Sequence, residues 1–151
     1  MTSQEEKKAT ELLVAQQFLK EQHSSDFDQL IIENREPPEP DILCTYPSGE
    51  TIAYELCEIC SEDIARAEHK NHELPHDIKP SEPARLLTRK LSKPYQTPHT
   101  IELLLYVGRT MLSERVILDE CNTVLENAED VQFRKIWLWG DQIYLLYDEN
   151  A

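Results

Sequence analysis

A single β-hairpin signal places the strongest constraint on how this chain can fold. Two runs of β-prone residues flank the three-residue loop Pro47-Ser48-Gly49, a pattern typical of a hairpin. If Tyr46 pairs with Glu50 across this loop, the register of the two strands follows. That register places Asp41 directly opposite Glu55, where side chains on one face approach to roughly 5 Å. We therefore expect two carboxylates to converge on one small volume.

The opposed carboxylates of Asp41 and Glu55 have the residue types and the placement of a metal site. Like charges at this distance disfavour each other's ionisation, so the pair is destabilising unless a divalent cation or a shared proton compensates. Carboxylate oxygens are hard ligands, which favour Mg²⁺ or Mn²⁺ over Zn²⁺. The hairpin therefore predicts a site for Mg²⁺ or Mn²⁺.

Pro40-Asp41, the hairpin and the segment Glu55-Leu56-Cys57 together resemble the PD-(D/E)xK nuclease superfamily, whose members have the restriction-endonuclease-like fold. The resemblance implies that Asp41 and Glu55 hold Mg²⁺ and that the backbone carbonyl of Leu56 is a further ligand. It also implies an assisting carboxylate on the first helix, for which Glu11 is the match.

The family's lysine position falls on Cys57, whose thiol carries no permanent positive charge. Some branches of the superfamily are similar in having a neutral residue there, with the lysine moved to the following helix. Lys90 is the candidate here, because its spacing from Leu86 and Leu87 places it at the inner face of that helix. Tyr95, just beyond, has two interpretations: contact with the substrate, and packing, which is the ordinary one.

Two functions remain open from these residues. The first is Mg²⁺-dependent hydrolysis of DNA phosphodiester bonds, with four catalytic residues: Asp41, Glu55, Lys90 and Glu11. The second is a catalytically inactive member of the same fold that acts as a regulatory module by binding protein or nucleic acid. The thiol at the lysine position favours the second function.

Hydrophobic periodicity and turn signals predict a single α/β domain over residues 1–151, with a mixed central sheet and the order αβββαβαββ. The predicted helices and strands cover residues 4–22, 27–34, 41–46, 51–60, 81–93, 101–107, 112–127, 133–139 and 142–147. The apolar run at 101–107 is typical of a central strand that is buried on both faces. Residues 61–80 are predicted to be a loop with one short helix. The first six elements match the family's core, so we expect its three-layer architecture.

The net charge of the chain affects which kind of partner it can bind. The chain has 15 basic and 29 acidic residues, a formal charge of −14, which disfavours non-specific binding to a polyanion. DNA binding would therefore depend on a basic strip between Arg66 and Arg115, and a basic protein partner is the alternative. No apolar run approaches the ~20 residues that span a bilayer, and the first residues do not resemble a signal peptide. We expect a cytoplasmic protein with no membrane partner and with free thiols.

Two further patterns have ordinary interpretations. Cys57 and Cys60, followed by three histidines (His69, His72 and His76), have the composition of a zinc site, but on a strand the two thiols point to opposite faces. Trp137 and Trp139 share one face of a predicted strand, where they would either cover the sheet or stack against a partner.

Overall fold

The computed structural model describes residues 2–60 and 82–151, which form one mixed, open six-stranded sheet with α-helices. The elements are α1 (Ser3–Gln22), a 3₁₀ turn (Phe27–Gln29), β1 (Ile31–Asn34), β2 (Ile42–Thr45), β3 (Thr51–Ile59), α2 (Glu82–Ser92), β4 (Thr100–Val107), α3 (Glu114–Glu126), β5 (Lys135–Trp139) and β6 (Ile143–Asp148). The α/β class and the order αβββαβαββ are confirmed for the described residues. The predicted loop at 61–80 lies outside them.

The strands follow one another across the sheet in chain order, from β1 to β6. β1 with β2, β2 with β3, and β5 with β6 are antiparallel pairs. The described residues divide into two compact units: 2–56 with 94–103, and 57–60 with 82–93 and 104–151. Within residues 2–60 and 82–151, no helix is both long enough and apolar enough to cross a membrane.

The predicted hairpin register is confirmed. Ile42 pairs with Tyr54, and the ladder runs to Thr45 and Thr51. Beyond the ladder, the Tyr46 N–H donates to the Glu50 carbonyl at 2.9 Å, which is the predicted closing pair. The loop length therefore sets which side chains of β2 and β3 face each other.

Gly49 occupies the position in the loop that most restricts the choice of residue. Its N–H donates to the Tyr46 carbonyl at 2.9 Å, and its φ is +90°. This left-handed conformation is open to glycine but strained for side chains with a Cβ atom. A Cβ built at Gly49 would meet no atom within 4 Å, so the restriction is conformational and does not come from crowding.

Gly49→Ala is therefore expected to lower the free energy of unfolding by about 1–2 kcal/mol. Asparagine tolerates positive φ better than alanine, so Gly49→Asn should be less destabilising. Urea denaturation of the wild type, Gly49→Ala and Gly49→Asn measures the free energy of unfolding of each protein, and the values are comparable when the three m-values agree. Equal stability of the alanine variant and the wild type would contradict the role given to this loop.

α1 contributes a buried face to the first unit, where it packs against β1 and β2. Its start is fixed by a capping box, in which the Thr2 hydroxyl accepts from the Glu5 N–H and the Glu5 carboxylate accepts from the Thr2 N–H, each at 3.1 Å. Ala15 and Phe18 are almost fully buried, at 2% and 1% exposure. Glu11 lies one turn before Ala15 and belongs to the same face.

In the second unit α2 packs against α3, and α3 also contacts β6. β4, whose residues up to Leu103 belong to the first unit and whose later residues belong to the second, carries three consecutive leucines with no exposure, Leu103, Leu104 and Leu105. Alternate residues of a strand point to opposite faces, so this burial confirms the predicted central strand that is covered on both sides.

The predicted start of the first strand was wrong. Residues 27–29 form a 3₁₀ turn, in which the Leu30 N–H donates to the Phe27 carbonyl at 3.0 Å, and β1 begins only at Ile31. Two preceding turn bonds join Asp26 to His23 and Gln29 to Asp26. These local hydrogen bonds, one of which satisfies the Phe27 carbonyl, hold the segment in a turn in place of the predicted strand.

Candidate functional site

The segment that precedes β2 presents Asp41 at the beginning of that strand. The Arg35 N–H donates to the Asp41 carbonyl at 2.8 Å, which closes the segment into a loop. Within it, the Glu39 N–H donates to the Glu36 carbonyl at 3.0 Å, and the Arg35 guanidinium pairs with the Glu39 carboxylate at 3.3 Å. These bonds hold the backbone of Asp41 in place before the ladder of β2 starts.

Asp41 and Glu55 lie together in the first unit, as the hairpin register predicts. The Asp41 N–H donates to Glu55 Oε1 at 3.3 Å, and the Leu56 N–H donates to Asp41 Oδ2 at 2.9 Å. Each carboxylate thus accepts a backbone hydrogen bond from the segment of chain that carries the other. Glu55 is 1% exposed and Asp41 is half-buried, so both carboxylates are largely removed from water.

The electrostatics of the pair favour a proton or a cation between the two side chains. Burial, followed by the negative charge of Glu55, raises the pKa of Asp41 from 3.8 to about 7. The hydrogen bond from the Leu56 N–H lowers this pKa but is outweighed. The carboxyl group of Asp41 therefore keeps its proton to a higher pH than an ordinary aspartate does.

Glu11, predicted to assist from the first helix, is a buried carboxylate at 8% exposure. Its negative charge also raises the pKa of Asp41, by less than burial and Glu55 do. In residues 2–60 and 82–151, no three side chains among His, Cys, Asp and Glu are grouped closely enough to hold a metal ion. Glu11 thus affects the pKa of Asp41 through its charge. The two carboxylates that lie together are those of Asp41 and Glu55.

Tyr95 contacts the carboxylate pair in a way that the sequence interpretation did not predict. Its hydroxyl donates to Glu55 Oε2 at 2.9 Å, so it binds the carboxylate and is more than a packing residue. The Gln96 N–H donates to the Pro38 carbonyl at 3.1 Å, which ties the chain around Tyr95 to the segment before Asp41. The only signal in the sequence is the position of Tyr95 directly after Pro94, where the helix that precedes it has ended.

Lys90 and Cys57 belong to the second unit. Lys90 is half-buried on α2, in agreement with its predicted inward position, whereas the adjacent Arg89 is exposed. Cys57 is buried on β3 at 6% exposure. The catalytic role of Lys90 and the ligand role of the Leu56 carbonyl stay predictions.

The basic strip is described only in part, because Arg66, Lys70 and Lys79 lie outside the described residues. Arg85 forms an ion pair with the buried carboxylate of Glu82 at 2.5 Å. One positive charge of the strip is therefore neutralised within the protein.

The remaining sequence patterns have the following outcomes. All four cysteines are thiols and not disulfides, as expected, and the three histidines of the zinc pattern lie outside the described residues. Trp137 and Trp139 are half-buried on either side of the buried Leu138, so they share one face of β5 as predicted. The Lys135 ammonium lies 5.6 Å from the centroid of the Trp137 ring, within cation–π range.

Comparison of the chain with protein-family models, with curated proteins and with solved structures gives no significant match. The argument for function therefore rests on the residues of the site. The resemblance to the PD-(D/E)xK superfamily rests on residues 40–57 and stays a prediction.

Proposed function

We propose that the chain is a PD-(D/E)xK-type nuclease with a restriction-endonuclease-like fold, which hydrolyses DNA phosphodiester bonds with Mg²⁺ or Mn²⁺. One observation carries the proposal. Asp41 and Glu55 meet at adjacent strands, and burial and like charge raise the pKa of Asp41 to about 7. A site that holds two carboxylates together against their repulsion has the chemistry of a cation site.

The residues present fit a divalent cation. Asp41 and Glu55 would hold it, and Glu11 would add negative charge nearby. The resemblance implies the Leu56 carbonyl as a further oxygen ligand. Hard oxygen donors suit Mg²⁺ and Mn²⁺. When bound, such a cation polarises the scissile phosphate and lowers the pKa of the attacking water.

The protein's own groups prepare the site for that cation. The N–H groups of Asp41 and Leu56 each hold a carboxylate oxygen, so the two side chains are ordered before the cation arrives. Asp41 must release its proton when the cation binds, and the affinity therefore rises with pH through about 7. The proposed role of Lys90 is to orient the attacking water or to offset the charge that develops on the phosphate.

Calorimetric titration with Mn²⁺ at about pH 8 tests the site. Asp41→Asn and Glu55→Gln should each weaken binding by at least about tenfold, because each removes one anionic ligand. Glu33→Gln removes a charge from an exposed position on β1 and serves as the control, with unchanged affinity. Wild-type affinity in both site variants would rule the site out.

A second candidate function, a catalytically inactive binding module, is favoured by the charge of −14 and by Cys57 at the family's lysine position. In this case the partner is a basic protein or a limited stretch of nucleic acid. Assays of DNA binding and cleavage at low salt, with Mg²⁺ and with Mn²⁺, separate the two functions. A wild type that neither binds nor cleaves DNA, and that co-purifies with a basic protein, favours the binding module.

A further inference from the structure

The two helices of the second unit form a groove of about 480 Å³ where α2 packs against α3, which we call the α2–α3 groove. It lies between the C-terminal halves of the two helices and extends along the segment that follows α3. A volume in this range is typical of pockets that bind small molecules. None of the described residues that line the groove belongs to the proposed nuclease site.

The lining of the α2–α3 groove has an apolar part and a polar part. Leu91, Val124 and Ala128 form the apolar part, and each is half-buried. The polar part consists of exposed residues, among them Ser92 and Thr123. This division fits a ligand that has an apolar body and a polar end.

The polar part of the groove offers acceptors more than donors. The Ser92 hydroxyl donates to the Thr88 carbonyl and the Thr123 hydroxyl donates to the Asp119 carbonyl, each at 2.9 Å. A hydroxyl has one proton, so these two oxygens keep only their lone pairs for a ligand. The Asn127 amide donates to the Thr123 carbonyl at 2.8 Å, which uses one of its two N–H groups and leaves its oxygen as an acceptor. A ligand that donates hydrogen bonds therefore fits this part of the groove.

The charge around the groove favours a cation. Among the described residues that line it, Glu129 alone is charged, and it is exposed. The C-terminal end of a helix carries partial negative charge, which a nearby cation stabilises. α2 has Arg89 and Lys90 in its last turn, whereas the last turn of α3, which the structure describes in full, has no basic residue and ends at Glu126. A cation bound in the groove would complement this end of α3.

We propose that the α2–α3 groove binds a small organic monocation, in which an ammonium group is attached to a compact apolar body. The ammonium group lies beside the Glu129 carboxylate and donates to the oxygens of Thr123 and Asn127, and the apolar body contacts Leu91 and Val124. This binding is separate from the proposed nuclease activity, because the carboxylate pair belongs to the first unit.

Three probes of nearly the same size separate charge from shape. At about pH 7 benzylamine is a cation, benzyl alcohol is neutral and benzoate is an anion. NMR titrations of the methyl-labelled full chain follow the methyl groups of Leu91 and Val124. Benzylamine should bind about 3–5-fold more tightly than benzyl alcohol, and benzoate should bind most weakly. The methyl groups of the exposed Leu145 on β6 report on non-specific binding and should shift little.

Glu129→Gln removes the charge from the groove, and the matched control Glu126→Gln removes the same charge from an exposed position of α3 that does not line it. Benzylamine affinity should fall about 3–5-fold in Glu129→Gln and change less than about twofold in Glu126→Gln. Benzyl alcohol should bind all three proteins equally. Absence of benzylamine binding, equal affinity for benzylamine and benzoate, an equal loss in the two variants, or larger shifts at Leu145 than at Val124 would each overturn the proposal.

Discussion

Asp41→Asn is expected to stabilise the metal-free protein at about pH 8, by on the order of 3 kcal/mol, while it removes cation binding. Burial and the charge of Glu55 raise the pKa of Asp41 to about 7, so an ionised Asp41 destabilises the fold above that pH. Asparagine is neutral and nearly the same shape. Its carbonyl oxygen can keep the bond from the Leu56 N–H, and its amide can donate to Glu55.

The sign of the pH dependence follows from the raised pKa. Between the ordinary value of 3.8 and about 7, the folded state binds a proton at Asp41 that the unfolded state has released. The contribution of Asp41 to the free energy of unfolding therefore decreases as pH rises through this interval, and it stays low above it. Below the interval both states are protonated, and the asparagine variant loses its advantage.

Urea denaturation in the presence of a chelator, at several pH values from about 4 to 8, measures this difference. Asp28→Asn, at an exposed position in the 3₁₀ turn, is the control for loss of one aspartate. Saturating Mn²⁺ should then stabilise the wild type and leave Asp41→Asn nearly unchanged. Equal stability of the wild type and Asp41→Asn at about pH 8 would contradict the inference that an ionised Asp41 beside Glu55 destabilises the fold.

Lys90→Ala is expected to reduce Mg²⁺-dependent cleavage of DNA by about 100-fold or more and to leave Mn²⁺ affinity within about twofold. The expectation follows from the proposed nuclease, in which an ammonium group must replace the lysine that Cys57 does not supply. Arg89→Ala is the matched control, because it removes a positive charge from the next position of α2, where the side chain is exposed.

Initial cleavage rates on a labelled DNA duplex, with protein in excess, compare these variants. If Lys90→Ala cleaves DNA at the wild-type rate, Lys90 does not replace the lysine that is missing at the position of Cys57. An equal loss in Arg89→Ala would show that positive charge on α2 binds DNA in general. Absence of cleavage by the wild type would favour the binding module.

The hairpin and its register were predictable from sequence because both depend on local rules. A three-residue loop that ends in glycine sets the closing pair, and the alternation of side chains along a strand then assigns Asp41 to Glu55. The order of the remaining elements followed from hydrophobic periodicity. In each case the information lies within a few consecutive residues.

The contact of Tyr95 with Glu55 was not predictable, because 40 positions separate the two residues. Such a contact depends on how a returning segment is tied to the strands, and residue spacing carries no signal for that. The start of β1 was mispredicted for a different reason. Turn hydrogen bonds after α1 competed with the strand preference of Phe27, and their strength cannot be read from residue type alone.

The loop at Gly49 has a consequence for how this chain can change during evolution. Insertion of one residue there would shift β2 by one position against β3 and exchange its two faces. Asp41 would then lie on the opposite side of the sheet from Glu55, although both carboxylates remained in the sequence. Insertion of two residues would restore the face but move the partners along the strand. The length of this exposed loop therefore decides whether the two carboxylates meet, even though no loop residue contributes a carboxylate to the pair.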